Sequence, residues 1–247
     1  MQPYYDEDGI VIYHGDCRTV FAQMSQAVDH AIFDPPYSAH VHSKSMRGAS
    51  GWKGKISEKR VLGFDAIDQE TIDAVSVWCA STVRRWCLAF SDTESAHLWR
   101  EAFEASGQDY VRTCFWRKLG GAPQFTGDRP AVACEAMTLA HVPGKKRWNG
   151  GGKHGFYEVP IVLNRGASAT EWRCHPTQKP ERLMAQLVAD FTDVGETLCD
   201  PFMGSGSTLV AAKRMGRKAI GIEQKEEYCE VAVNRLRQSS MIGALLA

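Results

Sequence analysis

The C-terminal third of the chain most constrains the fold, because strand and helix patterns alternate there with short connections. Apolar residues predict strands at 196–199 and 218–222, and helical spacing predicts helices at 207–215 and 225–238. A further helix with one apolar face is expected to begin at Pro180. Strands that alternate with helices build parallel sheets covered on both faces. We therefore expect an α/β protein with a doubly wound, mostly parallel sheet.

Length and composition indicate a single domain, which we expect to span residues 1–247. Of the 247 residues, 44% are hydrophobic and 23% are charged, which is enough to bury a sizeable core. No apolar run approaches the ~20 residues of a membrane helix, and the acidic start is unlike a targeting peptide. The eight cysteines form no C-x-x-C pair, so reduced thiols and no metal site are expected. These features predict a cytoplasmic protein without membrane contact.

A glycine-rich segment, Asp200 to Thr208, lies between a predicted strand and a predicted helix and reads DPFMGSGST. Its glycines allow a ligand to approach the backbone, and the helix start offers free amide groups. Glu223 ends the next strand, where a carboxylate can bind both hydroxyls of a ribose. A third glycine and a Gly-Lys-Ser/Thr step are both absent, so a nucleoside such as S-adenosylmethionine fits better than a dinucleotide. A tight turn that merely needs small residues is the alternative.

A second motif, Asp-Pro-Pro-Tyr at 34–37, directly follows a short apolar strand. The carboxylate of Asp34 and the carbonyl of Pro35 can each accept one hydrogen of an exocyclic amine. The ring of Tyr37 can stack on the heterocycle that carries this amine. The alternative is a strand-ending proline turn whose aspartate caps local amides. The nucleoside-type segment elsewhere in the chain favours amine recognition.

The motifs and their order resemble the amino-group DNA methyltransferases, and in particular the β group of DNA adenine methyltransferases. DPPY is followed about 140 residues later by HPTQKP, and then by DPFMGSGST and IGIE. In this group the catalytic tetrapeptide precedes the cofactor segment, and small phage or prophage-type members are the most similar. The specific motifs lie at 10–37 and 172–236. The resemblance implies a Rossmann-like methyltransferase fold with a circularly permuted motif order.

The resemblance also implies the roles of individual residues. Asp16 would face the adenine amine of the cofactor, although it is also placed to cap the helix that follows. Lys179 would bind the methionine carboxylate, with a solvated lysine as the alternative. The implied catalytic residues are Asp34, Pro35, Pro36 and Tyr37. The implied ligands of S-adenosylmethionine are Asp16, Thr177, Lys179, Asp200, Phe202, Gly204, Ser205, Gly206 and Glu223.

The charge of the chain is balanced overall but not locally. Its 29 basic and 29 acidic residues cancel, yet residues 42–60 hold six basic residues against one acid. Residues 112–153 hold eight basic residues against two acidic ones. We expect a mobile DNA-contacting loop at 38–64 and an inserted target-recognition region at about 118–170. The predicted DNA contacts are Lys44, Arg47, Lys53, Lys55, Arg117, Lys118, Gln124, Arg129, Lys145, Lys146, Arg147, Trp148 and Asn149.

The expected activity is methylation of the N6 amine of a flipped-out adenine in double-stranded DNA. Methylation of the N4 amine of cytosine is the main alternative, although that group more often has serine in place of Asp34. RNA and protein-glutamine methyltransferases are a further alternative, but they usually place the cofactor segment first, so the motif order of this chain argues against them. A DNA-binding regulator of the same fold without catalytic activity is another alternative, and the presence of Asp34 argues against it. A bacterial or phage-encoded enzyme is expected, with the recognition sequence, a companion nuclease and the choice between monomer and homodimer left open.

Overall fold

A computed structural model of the chain describes residues 1–24, 26–37, 66–121, 123–124, 127–162 and 178–245. Its strands are β1 (Tyr5–Glu7), β2 (Ile10–His14), β3 (His30–Phe33), β4 (Trp86–Ser91), β5 (Asp109–Leu119), β6 (Cys134–His141), β7 (Phe156–Pro160), β8 (Thr197–Asp200) and β9 (Lys218–Glu223). Its helices are α1 (Cys17–Phe21), α2 (Gln69–Thr82), α3 (Ala96–Ala105), α4 (Glu181–Phe191), α5 (Ser207–Arg214) and α6 (Glu226–Leu245). Within the described residues, no helix is both long and apolar enough to cross a membrane.

The strands form one sheet in the order β1-β2-β9-β8-β3-β4-β6-β5-β7. From β2 to β4 all neighbours are parallel, whereas β1 and β6 are antiparallel to their neighbours. Helices α4, α5 and α6 contribute to a hydrophobic core on one face, and α1, α2 and α3 contribute to a core on the other. This arrangement confirms the prediction of a doubly wound, mostly parallel α/β sheet.

The central strands are buried on both faces, as parallel strands between two helical layers must be. In β3, Ile32 belongs to one core while Ala31 and Phe33 belong to the other, and none of the three has exposed surface. The chain leaves this strand at Asp34, where two successive prolines prevent further pairing. Burial of β3 therefore fixes where the first chemical motif emerges from the sheet.

The region at 118–170, expected as an insertion, is built partly into the sheet. Strand β6 pairs with β5 along its whole length and with β4 from Ala136 to His141, and β7 pairs with β5 at the sheet edge. In β7, Tyr157 and Val159 are buried and alternate with more exposed residues. A single alternation of this length after a glycine-rich segment is a weak sequence signal, and β7 was not predicted. Residues 163–170 lie outside the described residues.

An ion cluster joins several segments at the edge formed by the amino ends of the parallel strands. Glu196, just before β8, accepts hydrogen bonds from His30 Nε2 (2.8 Å), Arg85 Nη1 (2.6 Å) and Arg147 Nη2 (2.9 Å). His30 is fully buried. Burial on its own raises the pKa of Glu196, but these partners outweigh it and hold the pKa below its ordinary value. The cluster therefore fixes the starts of β3, β4 and β8 relative to one another.

We expect Glu196→Gln to lower the free energy of unfolding by roughly 2 kcal/mol, because His30 loses its anionic partner and the two guanidinium groups keep Asp193 as their remaining anion. The lowered pKa means that this stabilisation is present at neutral pH and is lost as the pH falls, so the deficit should shrink under acidic conditions. Urea unfolding at several pH values measures both effects. Glu104→Gln is the control, since its pair with Arg100 is exposed and should contribute less than about 0.5 kcal/mol. Equal losses for the two variants would contradict the role of Glu196.

Candidate active site

Both sequence motifs lie at the edge formed by the carboxyl ends of the parallel strands. Asp16 follows β2, Glu223 ends β9, Asp200 ends β8 and Asp34 follows β3. The first two ends are directly linked, because Gly15 N donates to the Glu223 carbonyl over 2.9 Å. Ligands of open α/β sheets bind at this edge. The sheet thus brings together residues that are up to about 200 positions apart in the chain.

Asp200 shapes the glycine-rich segment from inside. Its Oδ2 accepts a hydrogen bond from the Thr208 hydroxyl over 2.6 Å, and its Oδ1 accepts one from Phe202 N over 3.0 Å. The residue is only 2% exposed. Burial raises the pKa of Asp200 to about 7, although the two hydrogen bonds favour the charged form. Both oxygens are used to fold the segment, and a direct contact with the cofactor stays a prediction.

The two glycines of this segment adopt left-handed backbone conformations, with φ of 51° at Gly204 and 77° at Gly206. A Cβ atom on Gly206 would lie only 2.8 Å from the Cβ atom of Ala232 in α6. Glycine is therefore required both by the backbone angle and by the close approach of α6. Arg235, also in α6, donates to the Ser205 carbonyl over 2.6 Å and holds the segment from behind.

The acidic residues predicted to bind the cofactor have different surroundings. Glu223 accepts hydrogen bonds from Gly204 N (3.1 Å) and Lys225 N (2.9 Å), and burial raises its pKa against the effect of these bonds. Asp16 caps α1 through Arg18 N (2.8 Å) and pairs with the Arg18 guanidinium (2.7 Å), whose hydrogen bond lowers its pKa. Asp16 thus has the helix-capping contact expected as its alternative role. The half-buried Glu223 lies beside the glycine segment, as a ribose ligand must.

Next to this crevice, Asp34 and Tyr37 belong to a cluster of charged side chains. Lys179 Nζ lies 2.5 Å from Asp34 Oδ2 and 3.1 Å from Glu135 Oε2. The Tyr37 hydroxyl donates to Glu135 Oε2 over 2.6 Å and accepts from Lys179 over 3.2 Å. Lys118 forms an ion pair with the other oxygen, Glu135 Oε1. Two carboxylates and two ammonium groups therefore form one connected cluster, in which Glu135 and Lys179 bind the tyrosine hydroxyl.

Burial and charge pairing act in opposite directions on this cluster. Desolvation raises the pKa of Asp34 despite the nearby Lys179. Burial also acts to raise the pKa of Glu135, but Lys179 and Lys118 together hold it below its ordinary value. Desolvation disfavours the charged form of Lys179, yet Asp34 and Glu135 outweigh it and raise its pKa. The pKa of Tyr37 is raised by burial and by both carboxylates, so its hydroxyl stays protonated and serves as a donor.

Comparison with protein families matches residues 28–234 to the family N6_N4_Mtase, described as DNA methylase. The chain belongs to this DNA methylase family. It is 27% identical to the Type II methyltransferase M2.LlaDCHI of Lactococcus lactis subsp. cremoris over 98% of this chain and 94% of that protein. It is 26% identical to M2.DpnII of Streptococcus pneumoniae over 95% and 92% of the two chains.

Solved structures support the fold of the methylase independently. M1.HpyAVI in complex with SAM aligns with a TM-score of 0.67 and 25% identity, over 92% of this chain and 98% of the other. The cytosine-N4-specific PvuII DNA methyltransferase aligns with a TM-score of 0.72 over 95% and 88% of the two chains. At 14% identity the second likeness shows the fold alone.

Glu135 is the site residue of the methylase that sequence reasoning missed. It lies near the start of β6, whose remaining residues are apolar or buried, and it is itself only 7% exposed. An acidic residue in such a strand is the signal that was available in the sequence. Lys179, predicted to bind the methionine carboxylate, instead pairs here with Asp34 and lies over the rings of Tyr37 (5.3 Å) and Phe90 (4.9 Å). Its contact with the cofactor stays a prediction.

The predicted DNA contacts of the methylase lie at two different edges of the sheet. Arg117, Lys118, Gln124 and Arg129 belong to the end of β5 and the connection to β6, on the same edge as Asp34. Lys145, Lys146, Arg147, Trp148 and Asn149 follow β6, at the opposite edge. Several of these have partners within the protein: Trp148 Nε1 donates to Gly151 O (2.9 Å), and Asn149 Nδ2 donates to Thr192 O (3.0 Å). Thr177, Lys44, Arg47, Lys53 and Lys55 lie outside the described residues.

We expect Gly206→Ala to destabilise the methylase and to weaken its binding of S-adenosylmethionine, the cofactor predicted from the sequence. The left-handed backbone alone costs a non-glycine residue roughly 1–2 kcal/mol, and the contact with Ala232 adds to this. Gly216→Ala is the matched control, because its φ is 72° but its nearest side-chain atom, on Val194, is 3.4 Å away. Urea unfolding and titration calorimetry should show a larger loss for Gly206→Ala, and lost cofactor affinity only there. Equal effects in both variants would contradict this account of the segment.

Asp200→Asn should change how stability depends on pH. The folded-state pKa of about 7 lies above the ~3.9 of an unfolded aspartate, so between these values the folded protein binds more protons. This group therefore contributes stability at low pH that is lost as the pH rises through about 7. Urea unfolding at several pH values should show the wild type losing stability relative to Asp200→Asn across this interval. A wild type whose stability relative to Asp200→Asn stays constant or increases as the pH rises would contradict the raised pKa.

Proposed function

We propose that this methylase is a site-specific enzyme that methylates the N6 amine of adenine in double-stranded DNA. The observation that carries the proposal is the environment of Asp34 at the carboxyl edge, beside the Gly204 and Glu223 crevice. Asp34 Oδ1 is buried and has no hydrogen-bond partner among the residues that the structure describes, while Oδ2 binds Lys179. A buried acceptor without a donor is costly. A substrate amine is the donor that this position fits.

The crevice beside Asp34 suits S-adenosylmethionine, which supplies an electrophilic methyl group when bound. Glu223 presents a carboxylate at the end of β9 for the ribose hydroxyls, and Gly204 and Gly206 keep the neighbouring backbone free of side chains. Phe202 is partly exposed and packs against Phe33 with 6.0 Å between the ring centroids, which leaves an apolar surface beside the crevice. Thr177, Ser205, Asp200 and Asp16 complete the proposed cofactor contacts. Lys179, predicted from the sequence as a further cofactor ligand, lies between Asp34 and Glu135 and is proposed to act on the substrate side.

Asp34 and Tyr37 would prepare the target base for the reaction. An exocyclic amine is a weak nucleophile because its lone pair is delocalised into the ring. Hydrogen bonds from the amine to Asp34 and to the Pro35 carbonyl localise that lone pair and orient it. A base inside a duplex must first be extruded, and stacking on Tyr37 recovers roughly 1–3 kcal/mol of this cost. Positioning and fixed charges would supply most of the rate enhancement.

The DNA contacts are proposed at the edge that holds Asp34. Arg117, Arg129 and Gln124 are placed there, and so is Lys118 through its pair with Glu135. Basic side chains at this edge can bind phosphates, while the amide of Gln124 can read base edges. Lys44, Arg47, Lys53 and Lys55 follow Tyr37 in the chain and are proposed to add to this surface. For Lys145, Lys146, Arg147, Trp148 and Asn149, at the opposite edge, a structural role is favoured.

Cytosine N4 methylation is the second candidate, and the fold shared with the cytosine-N4-specific enzyme supports it. Adenine is favoured because Asp34 stands where the cytosine group more often has serine. The test is to incubate the protein with tritiated S-adenosylmethionine and DNA from a host that lacks DNA methylation. Digestion and chromatography should recover the label as N6-methyladenine. Label in N4-methylcytosine would establish the second candidate, and unlabelled DNA would reject methyl transfer altogether.

We expect Asp34→Ala to reduce the rate of methyl transfer by at least about a hundredfold, because the amine loses the group that orients its lone pair. Binding of S-adenosylmethionine, measured by calorimetry, should persist because Glu223 and the glycine segment are unchanged. Asp73→Ala, an exposed change in α2, serves as the control and should leave both quantities unaltered. Substantial turnover by Asp34→Ala would contradict the catalytic role of this residue.

A further inference from the structure

Glu135 contacts Tyr37, Lys179 and Lys118 beside Asp34, although it is not part of the Asp-Pro-Pro-Tyr motif. One oxygen, Oε2, accepts from the Tyr37 hydroxyl over 2.6 Å and lies 3.1 Å from Lys179 Nζ. The other, Oε1, pairs with Lys118. Glu135 enters the site from β6, whereas Asp34 enters it from β3. The two carboxylates therefore approach the same ammonium group from different strands.

The position of Lys179 creates a conflict for substrate binding. The Lys179 side chain is 6% exposed, and its ammonium group lies closest to Asp34 Oδ2, at 2.5 Å. This ammonium group leaves Oδ1 without a partner among the described residues, but its positive charge stabilises the whole carboxylate and so weakens Oδ1 as an acceptor for a target amine. An ammonium group that leaves Asp34 without gaining another anion would be buried and unpaired, at a cost of several kcal/mol. Glu135 Oε2 offers such an anion within a movement of less than about an ångström.

We propose that Glu135 is a positioning residue that takes over the Lys179 ammonium group when the target amine binds Asp34, and that it holds the Tyr37 hydroxyl while this occurs. The inference rests on the proposed function and deepens it. No proton moves in this exchange: Lys179 stays an ammonium and Tyr37 a neutral hydroxyl throughout. Lys118 keeps the second oxygen of Glu135 neutralised, so the carboxylate stays anchored as Lys179 shifts.

A purely structural role for Glu135 is the competing explanation, and the chain contains a matched control for it. Asp190, at the end of α4, is 2% exposed and accepts hydrogen bonds from Lys153 Nζ (2.6 Å) and the Tyr157 hydroxyl (3.1 Å). It is thus another buried carboxylate that pairs with one lysine and one tyrosine. It lies at the opposite edge of the sheet, next to Asn149. Removing its charge disturbs a similar cluster without touching Asp34.

The experiment compares Glu135→Gln, Glu135→Asp and Asp190→Asn with the wild type, using tritiated S-adenosylmethionine and unmethylated bacterial genomic DNA. Glu135→Gln should lower kcat by about tenfold or more with a KM for the cofactor within about twofold of wild type. Glu135→Asp keeps the charge and should retain more of kcat than Glu135→Gln. Asp190→Asn should keep kcat within about twofold of wild type, even if its thermal unfolding midpoint falls as much as that of Glu135→Gln.

The outcomes separate this inference from the proposed function. A wild-type protein that transfers no methyl group to DNA would reject the proposed function and this inference with it. An active wild type overturns the inference alone if Glu135→Gln keeps its kcat, if Asp190→Asn loses as much, or if Glu135→Asp does no better than Glu135→Gln. Should Glu135→Gln fail to fold, Glu135→Ala with and without sodium formate replaces it. Formate is then expected to restore part of kcat, and an absence of rescue would count against the exchange.

Discussion

The buried ammonium group of Lys179 is the interaction on which the arrangement of the site depends. It lies between Asp34 and Glu135, and so joins the end of β3, the start of β6 and the residues that precede α4. A charge with so little exposure is stable only when paired. Each of these three segments must therefore reach its place for the other two to be stable. The same requirement brings the Tyr37 hydroxyl into contact with Glu135 and Lys179.

The parallel sheet makes this meeting possible in a chain where the Asp-Pro-Pro-Tyr motif precedes the glycine-rich segment. Strands β3 and β8 are neighbours, so Asp34 and Asp200 emerge side by side although 166 positions separate them in the sequence. Strand β9 lies on the other side of β8 and brings Glu223 next to Gly204. Since only the spatial order of strand ends defines the crevice, the order of motifs along the chain can change without altering the site.

Much of the fold and part of the site could be predicted, because they depend on local signals. The alternation around β8, α5 and β9 and the double proline after Phe33 each act within a few residues. Strand β7 was missed because its pairing partner, rather than its own sequence, makes it a strand. Glu135 was missed for a related reason: its role comes from β6 lying between β4 and β5, and a sequence pattern does not state which strand ends meet.

The two edges of the sheet use buried charges in different ways. At the amino edge, Glu196 is one carboxylate shared by two guanidinium groups and His30, and Asp193 pairs with the same two guanidinium groups. At the carboxyl edge, one ammonium group lies between two carboxylates that are not equivalent. Desolvation raises the pKa of Asp34, whereas the paired lysines hold that of Glu135 below its ordinary value. The anion of Asp34 is thus the less stable of the two and gains more from a new donor. An amine that reaches Asp34 therefore meets a group in need of hydrogen bonds, while Lys179 still has the better-stabilised carboxylate beside it.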